Sequence, residues 1–260
     1  MPSWIADLVR LDGDGETFRS TAAFGAGGRL FGGLIAAQAL AAAGSTVPSE
    51  RLPQSLHAYF IKGGRVGIDV EYVVERTRDG KSFNTRRVTA NQEGVAIFEM
   101  LASFHRPEQT TDWQRPGAPT LARSEALIPT GMPERWADHF DLLTIRRGID
   151  DWPVQPMWFR SRQAVEDDAL LRACALTFIS DVGLVAVARP PGDAQRPGPG
   201  GAASLDHAVW FHRPVDPHRW HIYEAEAISH SDARGLARGS ILSEDGILVA
   251  SVAQESLWRL

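Results

Sequence analysis

The sequence predicts an α+β protein made of two related halves, each a helix followed by about four antiparallel strands. Three observations carry this. The composition is globular, a pattern recurs within the chain, and turn signals divide each copy into strand-length pieces. The 260 residues are 43% apolar and 23% charged. That mix excludes fibrous, collagen-like and wholly disordered classes. It leaves one large domain or two small ones, either able to bury a core without disulfides. Lys+Arg 27 against Asp+Glu 32 gives a net charge of −5, with a pI near 5.9. A nucleic-acid partner, which calls for a basic excess or stripe, is therefore not expected.

The first half opens at Gly32–Ala43, an Ala-rich helical pattern suited to close packing against a curved sheet. Strands follow, punctuated by Gly63-Gly64, Asp79-Gly80 and Glu93-Gly94. Residues 107–136 carry Pro107, Pro116, Pro119, Pro129 and Pro133 and read as a connector. The second half has its helix at Asp168–Ser180 and turn signals at Asp216-Pro217 and Asp245-Gly246. The expected division is 1–106, 107–136 and 137–260.

The repeat itself is weak in identity and clearer in pattern. At an offset of 152, Arg86 meets Arg238 and Glu93-Gly94-Val95 meets Asp245-Gly246-Ile247. At an offset of 151, Tyr59-Phe60-Ile61-Lys62 meets Trp210-Phe211-His212-Arg213. Between helix and next strand the first half uses 11 residues (44–54) and the second 25 (181–205). The extra length is rich in Pro and Gly, from Pro190-Pro191-Gly192 to Pro197-Gly198-Pro199-Gly200-Gly201.

Function is sought where the copies diverge. Phe98, Met100, Ala102 and Phe104 alternate as a core face, and at matched parity Gln254 stands where Ala102 does. An inward Gln is costly unless hydrogen-bonded. Asp206 aligns with Ser55 and opens an apolar strand, on one face with Ala208 and Trp210. Ser229 adds a hydroxyl at the end of the next strand. Each also has a plain structural reading: a turn cap for Asp206, a satisfied sheet amide for Gln254, any strand-end hydroxyl for Ser229.

Several stretches together resemble a known family. They include Phe31-Gly32-Gly33…Gln38-Ala39-Leu40, Ser55-Leu56-His57-Ala58-Tyr59-Phe60 and Arg78-Asp79-Gly80-Lys81-Ser82-Phe83…Arg86-Arg87-Val88. Met100-Leu101-Ala102-Ser103-Phe104, Asp206-His207…Trp210-Phe211-His212-Arg213-Pro214, Ala233-Arg234-Gly235 and Leu248-Val249-Ala250-Ser251…Gln254-Glu255 complete the set. The sequence is similar to the thioesterase II family of acyl-CoA thioesterases, which has the double hotdog fold. The resemblance implies two tandem helix-wrapped antiparallel sheets, hydrolysis of a fatty or other acyl-CoA to free acid and CoA, and a homodimer or higher homo-oligomer. It places the family's catalytic Asp on Asp206 and its Gln on Gln254. The family's Thr position falls on Ile228, so the hydroxyl role goes to the adjacent Ser229. Leu34 stands where the family commonly has Gln.

The expected mechanism is attack by water. The chain has no Gly-x-Ser-x-Gly elbow, and Cys174 lies inside a helical pattern. Asp206 would serve as base, with Gln254 and Ser229 orienting the water. The amides of Gly32 and Gly33, at a helix N-terminus, suit a developing oxyanion. His57 is counted with them as substrate-binding, although a histidine on an apolar strand is commonly a satisfied core residue. His212, His218, His221 and His230 match no zinc spacing; neither metal nor cofactor is expected. Arg86, Arg87, Arg234 and Arg238 could hold CoA phosphates, with surface ion pairing the favoured reading.

A single cysteine and an N-terminus without a leader pattern suggest the cytoplasm. The most apolar run noted, Gly32 to Gly44, is short of the ~20 residues of a membrane span, so no membrane partner is expected. Two rivals remain: a non-catalytic acyl-CoA binder and a hotdog enoyl-CoA hydratase, which needs an Asp/His pair not found here.

Overall fold

The computed structural model describes residues 2–21, 25–26, 28–115, 123, 127–129, 138–145, 155–190, 197–198 and 200–259. Pro116, Pro119 and Pro133 of the expected connector, and Pro191, Gly192 and Pro199 of the Pro/Gly insertion, lie outside the described residues.

The chain divides into two compact units. The first takes Met1–Asp112, Val165–Asp181 and Ala208–Phe211. Its elements are α1 (Trp4–Leu8), β1 (Asp12–Asp14), β2 (Thr17–Ser20), β3 (Gly25–Ala26), β4 (Arg29–Leu30), α2 (Gly32–Gly44), β5 (Leu52–Phe60), β6 (Val70–Asp79), β7 (Phe83–Gln92), β8 (Val95–His105) and α3 (Ala169–Ser180). The main sheet runs β1-β2-β6-β7-β8-β5, with antiparallel neighbours. The sequence predicts β5 to β8; the short β1–β2 hairpin extends that set. Between β7 and β8 the turn signal Glu93-Gly94 adopts φ 51° and 75°, the doubly left-handed geometry of a two-residue hairpin.

The alternation read from β8 holds. Phe98, Met100, Ala102 and Phe104 are buried and face α2. Gln38, the polar residue in that apolar helix, is fully bonded: its amide donates to Leu8 O and Ser20 Oγ and accepts from Tyr72 Oη.

Helix α3 belongs by sequence to the second half, yet it packs antiparallel to α2 inside the first unit. Gly44 faces Leu170, where an added methyl would come within 2.5 Å of its side chain, and Gly33 faces the Phe178 carbonyl. Glycine at both crossings lets the helices touch along their length. Phe178 also takes Trp4 and Phe31 edge-on. Gly33→Ala is expected to cost about 1–3 kcal/mol, because its methyl meets the Phe178 carbonyl at 2.4 Å, backbone that cannot swing aside, and the Phe31 ring at 2.5 Å. An unchanged thermal midpoint contradicts this packing.

By length and composition the stretch Ala169–Val187 could cross a membrane, which corrects the choice of Gly32–Gly44 as the most apolar run. In the fold Gly183, at φ 84°, separates it into α3 and a short α4 (Leu184–Val187). Residues Ala173–Ser180 of α3 are buried. Its polar members bond back to the helix, Thr177 Oγ1 to Ala173 O and Ser180 Oγ to Thr177 O.

The second unit takes Trp113–Ala164, Val182–His207 and His212–Leu260. It contains β9 (Ile128–Pro129), β10 (Phe140–Thr144), β11 (Met157–Ser161), α4, β12 (Ala202–Ser204), the start of β13 (Asp206–Phe211), β14 (His221–Ser231), β15 (Arg234–Ser243) and β16 (Leu248–Trp258). Its sheet runs β16-β15-β14-β11-β10-β9, with β12 also on β16. Strand β9 puts Ile128 and Pro129 of the expected connector into the ladder with β10. Gly235 has a packing reason: a methyl there would strike the Ala188 carbonyl, just past α4.

Candidate active site

The two ends that bring polar groups together are the start of β13 and the end of β16. Leu205 N–H donates to Glu255 O at 2.9 Å, which sets the start of β13 beside the end of β16 within the second unit. Asp206 is half-buried, and its Oδ1 accepts the Glu255 amide at 2.6 Å. A side-chain carboxylate thus takes a place in the ladder one residue from Gln254. Burial raises the Asp206 carboxyl above its ordinary range; the Glu255 amide opposes the shift and the Glu255 carboxylate adds to it. That is the direction a neutral-pH base needs.

Gln254 is fully buried. Its Oε1 accepts from His207 Nδ1 at 2.8 Å, and its Nε2 donates to Ser204 Oγ at 3.0 Å and Ser256 Oγ at 3.3 Å. The cost of an inward Gln is met by three partners. His207 is buried at 1% exposure, and burial pushes its pKa down to about 4, leaving it neutral.

The inward residues of β13 are His207 and Val209, not the face of Asp206, Ala208 and Trp210. The offset along this strand is 151, an odd number, so parity inverts. Leu56 and Ala58 of β5, both buried, correspond to His207 and Val209.

Ser229 sits apart from this cluster. In β14, Ala227 pairs with Ala237 and Ser229 with Leu236, which leaves Ile228 as the extra residue of a β-bulge, 44% exposed. The ambiguity between Ile228 and Ser229 falls where the strand re-aims its side chains. Ser229 is exposed, and among the described residues no hydrogen bond joins it to Asp206 or Gln254.

In the first unit, Gly33 N–H donates to Asp181 Oδ2 at 2.8 Å. Asp181 follows α3 and is buried; the antiparallel packing delivers it to the α2 N-terminus, where negative charge is favoured. The Gly33 amide is therefore occupied rather than open to an oxyanion. A side chain at Gly32 would meet the same carboxylate at 2.7 Å and the Phe60 ring at 2.8 Å. His57 is exposed and meets the Trp210 ring edge-on at 5.1 Å, so it is not a core histidine.

The other candidates resolve into local pairs. Arg86 is buried and bonded within the first unit. Arg87 pairs with Glu99, Arg238 with Glu226, and Arg234 with Glu255. Burial drives the Cys174 thiol far up, which removes it as a nucleophile at neutral pH. His212 bonds Ser251, His218 the Ser161 carbonyl, His221 the Arg219 carbonyl and His230 the Ala188 carbonyl. Sequence reasoning missed His207 and Asp181. His207 is within reach of the sequence, since the offset of 151 that sets Asp206 against Ser55 also sets His207 against Leu56.

An antiparallel sheet carrying a buried helix is the architecture of hotdog thioesterases. A hot dog fold protein of unknown function from Alicyclobacillus acidocaldarius superposes with a TM-score of 0.80 at 20% identity, covering 100% of this chain and 99% of that one. The acyl-CoA thioesterase II TesB2 from Mycobacterium marinum gives 0.80 at 33% identity, covering 98% and 96%. A family model of the acyl-CoA thioesterase N-terminal domain matches residues 20–105, and one of the C-terminal domain matches 107–258. Acyl-CoA thioesterase 2 of Haemophilus influenzae is 32% identical over 251 residues, 89% of this chain and 88% of that protein. The chain belongs to the acyl-CoA thioesterase II family.

Proposed function

We propose that this protein hydrolyses acyl-CoA thioesters to free acid and CoA, using a water molecule activated by Asp206. The observation that carries the reading is the Asp206 carboxylate. It is half-buried and raised in pKa, with Oδ1 anchored on the Glu255 amide and Oδ2 left to take a proton. Water attacks the thioester carbonyl carbon as its proton passes to Asp206. The tetrahedral intermediate then expels the sulfur, and the proton goes on to the CoA thiolate. Gln254 orients the water through the lone pair of Oε1 that His207 does not use. Ser229 is assigned the third role on family resemblance, with the Ile228 bulge as the feature that would bring its hydroxyl round. Gly32 and Gly33 are assigned to substrate binding as amides at a helix N-terminus, with His57 counted beside them. Of the two glycine amides, Gly32's is the better donor, because Gly33's is held by Asp181.

The architecture is read as a double hotdog with sequence halves 1–106 and 137–260 about a connector, 107–136. The recurring helix-and-strands pattern and the two family models support it. Oligomerisation as a homodimer or higher, and a cytoplasmic location suited to the single buried thiol, complete the proposal.

A thiol-release assay across short, medium, long and aromatic acyl-CoAs, with mass analysis of products, tests it. The expected result is equimolar CoA and free acid. Release of no thiol from any of them contradicts the reading. A mass gain of one water without thiol marks a hydratase, and binding without turnover marks a carrier.

A further inference from the structure

We propose that His207 is a positioning residue that fixes which way the Gln254 carboxamide points; this rests on the reading of Gln254 as catalytic. In the first half, Leu56 of β5 lies directly opposite Ala102 of β8, and both are fully buried. At offsets of 151 and 152, those two places become His207 and Gln254. A cross-strand apolar pair has become a cross-strand hydrogen bond of 2.8 Å between two buried polar groups. The first half makes the same strand pairing without polar groups, so the fold does not require them. Burying an imidazole and an amide is costly unless each is satisfied by the other. The exchange therefore points to a task for the pair.

The direction of the bond identifies the task. An amide oxygen only accepts, so with Oε1 toward His207, Nδ1 carries the proton. The other partners of Gln254 are the hydroxyls of Ser204 and Ser256. Hydroxyls donate or accept, so they tolerate the amide in either orientation. A protonated Nδ1 does not, since turning the amide over would set N–H against N–H. In the Nδ1–H tautomer His207 therefore holds the oxygen of Gln254 on its side and keeps the second Oε1 lone pair in a fixed place. The neutral state of the ring also keeps positive charge away from the neighbouring Asp206 carboxylate, where it would weaken the base.

Four variants test this: His207→Leu, His207→Asn, Gln254→Ala and the double variant His207→Leu/Gln254→Ala. Each is read by kcat and KM for acyl-CoA turnover and by thermal midpoint. His207→Leu is expected to lower kcat about 10- to 100-fold, with KM within about threefold. Asn carries its Nδ2 near the place of Nδ1, so His207→Asn should recover to within about fivefold of the wild-type kcat. The double variant rebuilds the Leu–Ala pair of the first half. It should regain the thermal midpoint lost in His207→Leu, while its kcat stays at the level of Gln254→Ala. A purely structural histidine would leave kcat, read below the melting transition, unchanged in His207→Leu. If His207→Leu keeps full kcat while Gln254→Ala does not, the positioning role is overturned and the catalytic reading of Gln254 stands. If His207→Asn folds at the wild-type midpoint and is as slow as His207→Leu, the donor role is likewise overturned. If Gln254→Ala keeps full kcat, the reading of Gln254 falls and this inference falls with it.

Discussion

Asp206→Asn is expected to lower kcat by about 10²–10⁴-fold with little change in KM, the usual worth of a positioned general base. Asn keeps the size of Asp, and its Oδ1 still accepts the Glu255 amide that Asp206 holds at 2.6 Å. The fold should therefore survive. Its stability at neutral pH should hold or rise, for a reason of sign. Burial raises the Asp206 carboxyl in the folded state. Its contribution is then fully present below the unfolded pKa and is lost as pH rises through the folded one. At neutral pH the charged carboxylate is a net cost, which Asn removes. The same shift predicts the acid limb of kcat/KM in the wild-type enzyme. Activity falls on acidification through a pKa above the ordinary ~3.9 of Asp. Steady-state thiol release over a pH series measures both effects. Turnover of Asp206→Asn within about threefold of wild type contradicts the base assignment.

The largest effect on stability is expected at Arg86. This guanidinium is 1% exposed. Its Nε donates to Thr46 Oγ1, Nη1 to the carbonyls of Arg78 and Thr85, and Nη2 to Thr46 O and Asp79 Oδ1. It ties Thr46, two residues beyond α2, to the β6–β7 ladder. Arg86→Met fills the volume but leaves those acceptors facing a thioether. About 2–4 kcal/mol of stability should be lost, measured by denaturant titration. Arg238 is the control, since it holds the matching place in the repeat. There the side chain is 68% exposed and, among the described residues, pairs with Glu226 alone, so Arg238→Met should change stability by no more than about 0.5 kcal/mol. Equal effects at the two positions contradict this account. The Arg86 hydrogen bond, then that of Asn84, holds the Asp79 carboxyl below its ordinary range. That contribution is present at neutral pH and lost as pH falls through the depressed pKa. Arg86→Met should therefore flatten the acid dependence of stability.

The parts of the molecule legible in the sequence are those written in local periodicity. Gly32–Ala43 and Asp168–Ser180 are read as helices, and the helices span Gly32–Gly44 and Ala169–Ser180. The period of two in Phe98–Phe104 marks the buried face of β8, and at matched parity it singles out Gln254, which is fully buried. What the sequence withholds depends on partners far along the chain. Nothing local says that α3 will lie on α2, or that Asp181 will thereby reach the Gly33 amide. The β1–β2 hairpin and the β10 and β11 strands are short and acquire meaning only through the strands they pair with. On β13 the offset to β5 is 151, so the buried Leu56 and Ala58 map onto His207 and Val209, one residue away from Asp206. That single residue separates the Asp206 face from the buried His207 face. At Ser229 the obstacle is the bulge at Ile228, where the alternation a reader depends on is broken.

The central claim, water attack assisted by Asp206, is tested most directly by a single turnover in ¹⁸O-labelled water with the protein in excess over acyl-CoA. Both the free acid and the intact protein are then weighed. Direct attack by water predicts one ¹⁸O in the released acid and an unchanged protein mass throughout the time course. A transient protein species heavier by the acyl group, or label found in the protein with unlabelled acid, would mean that Asp206 or another side chain attacks the thioester itself, contrary to the base role.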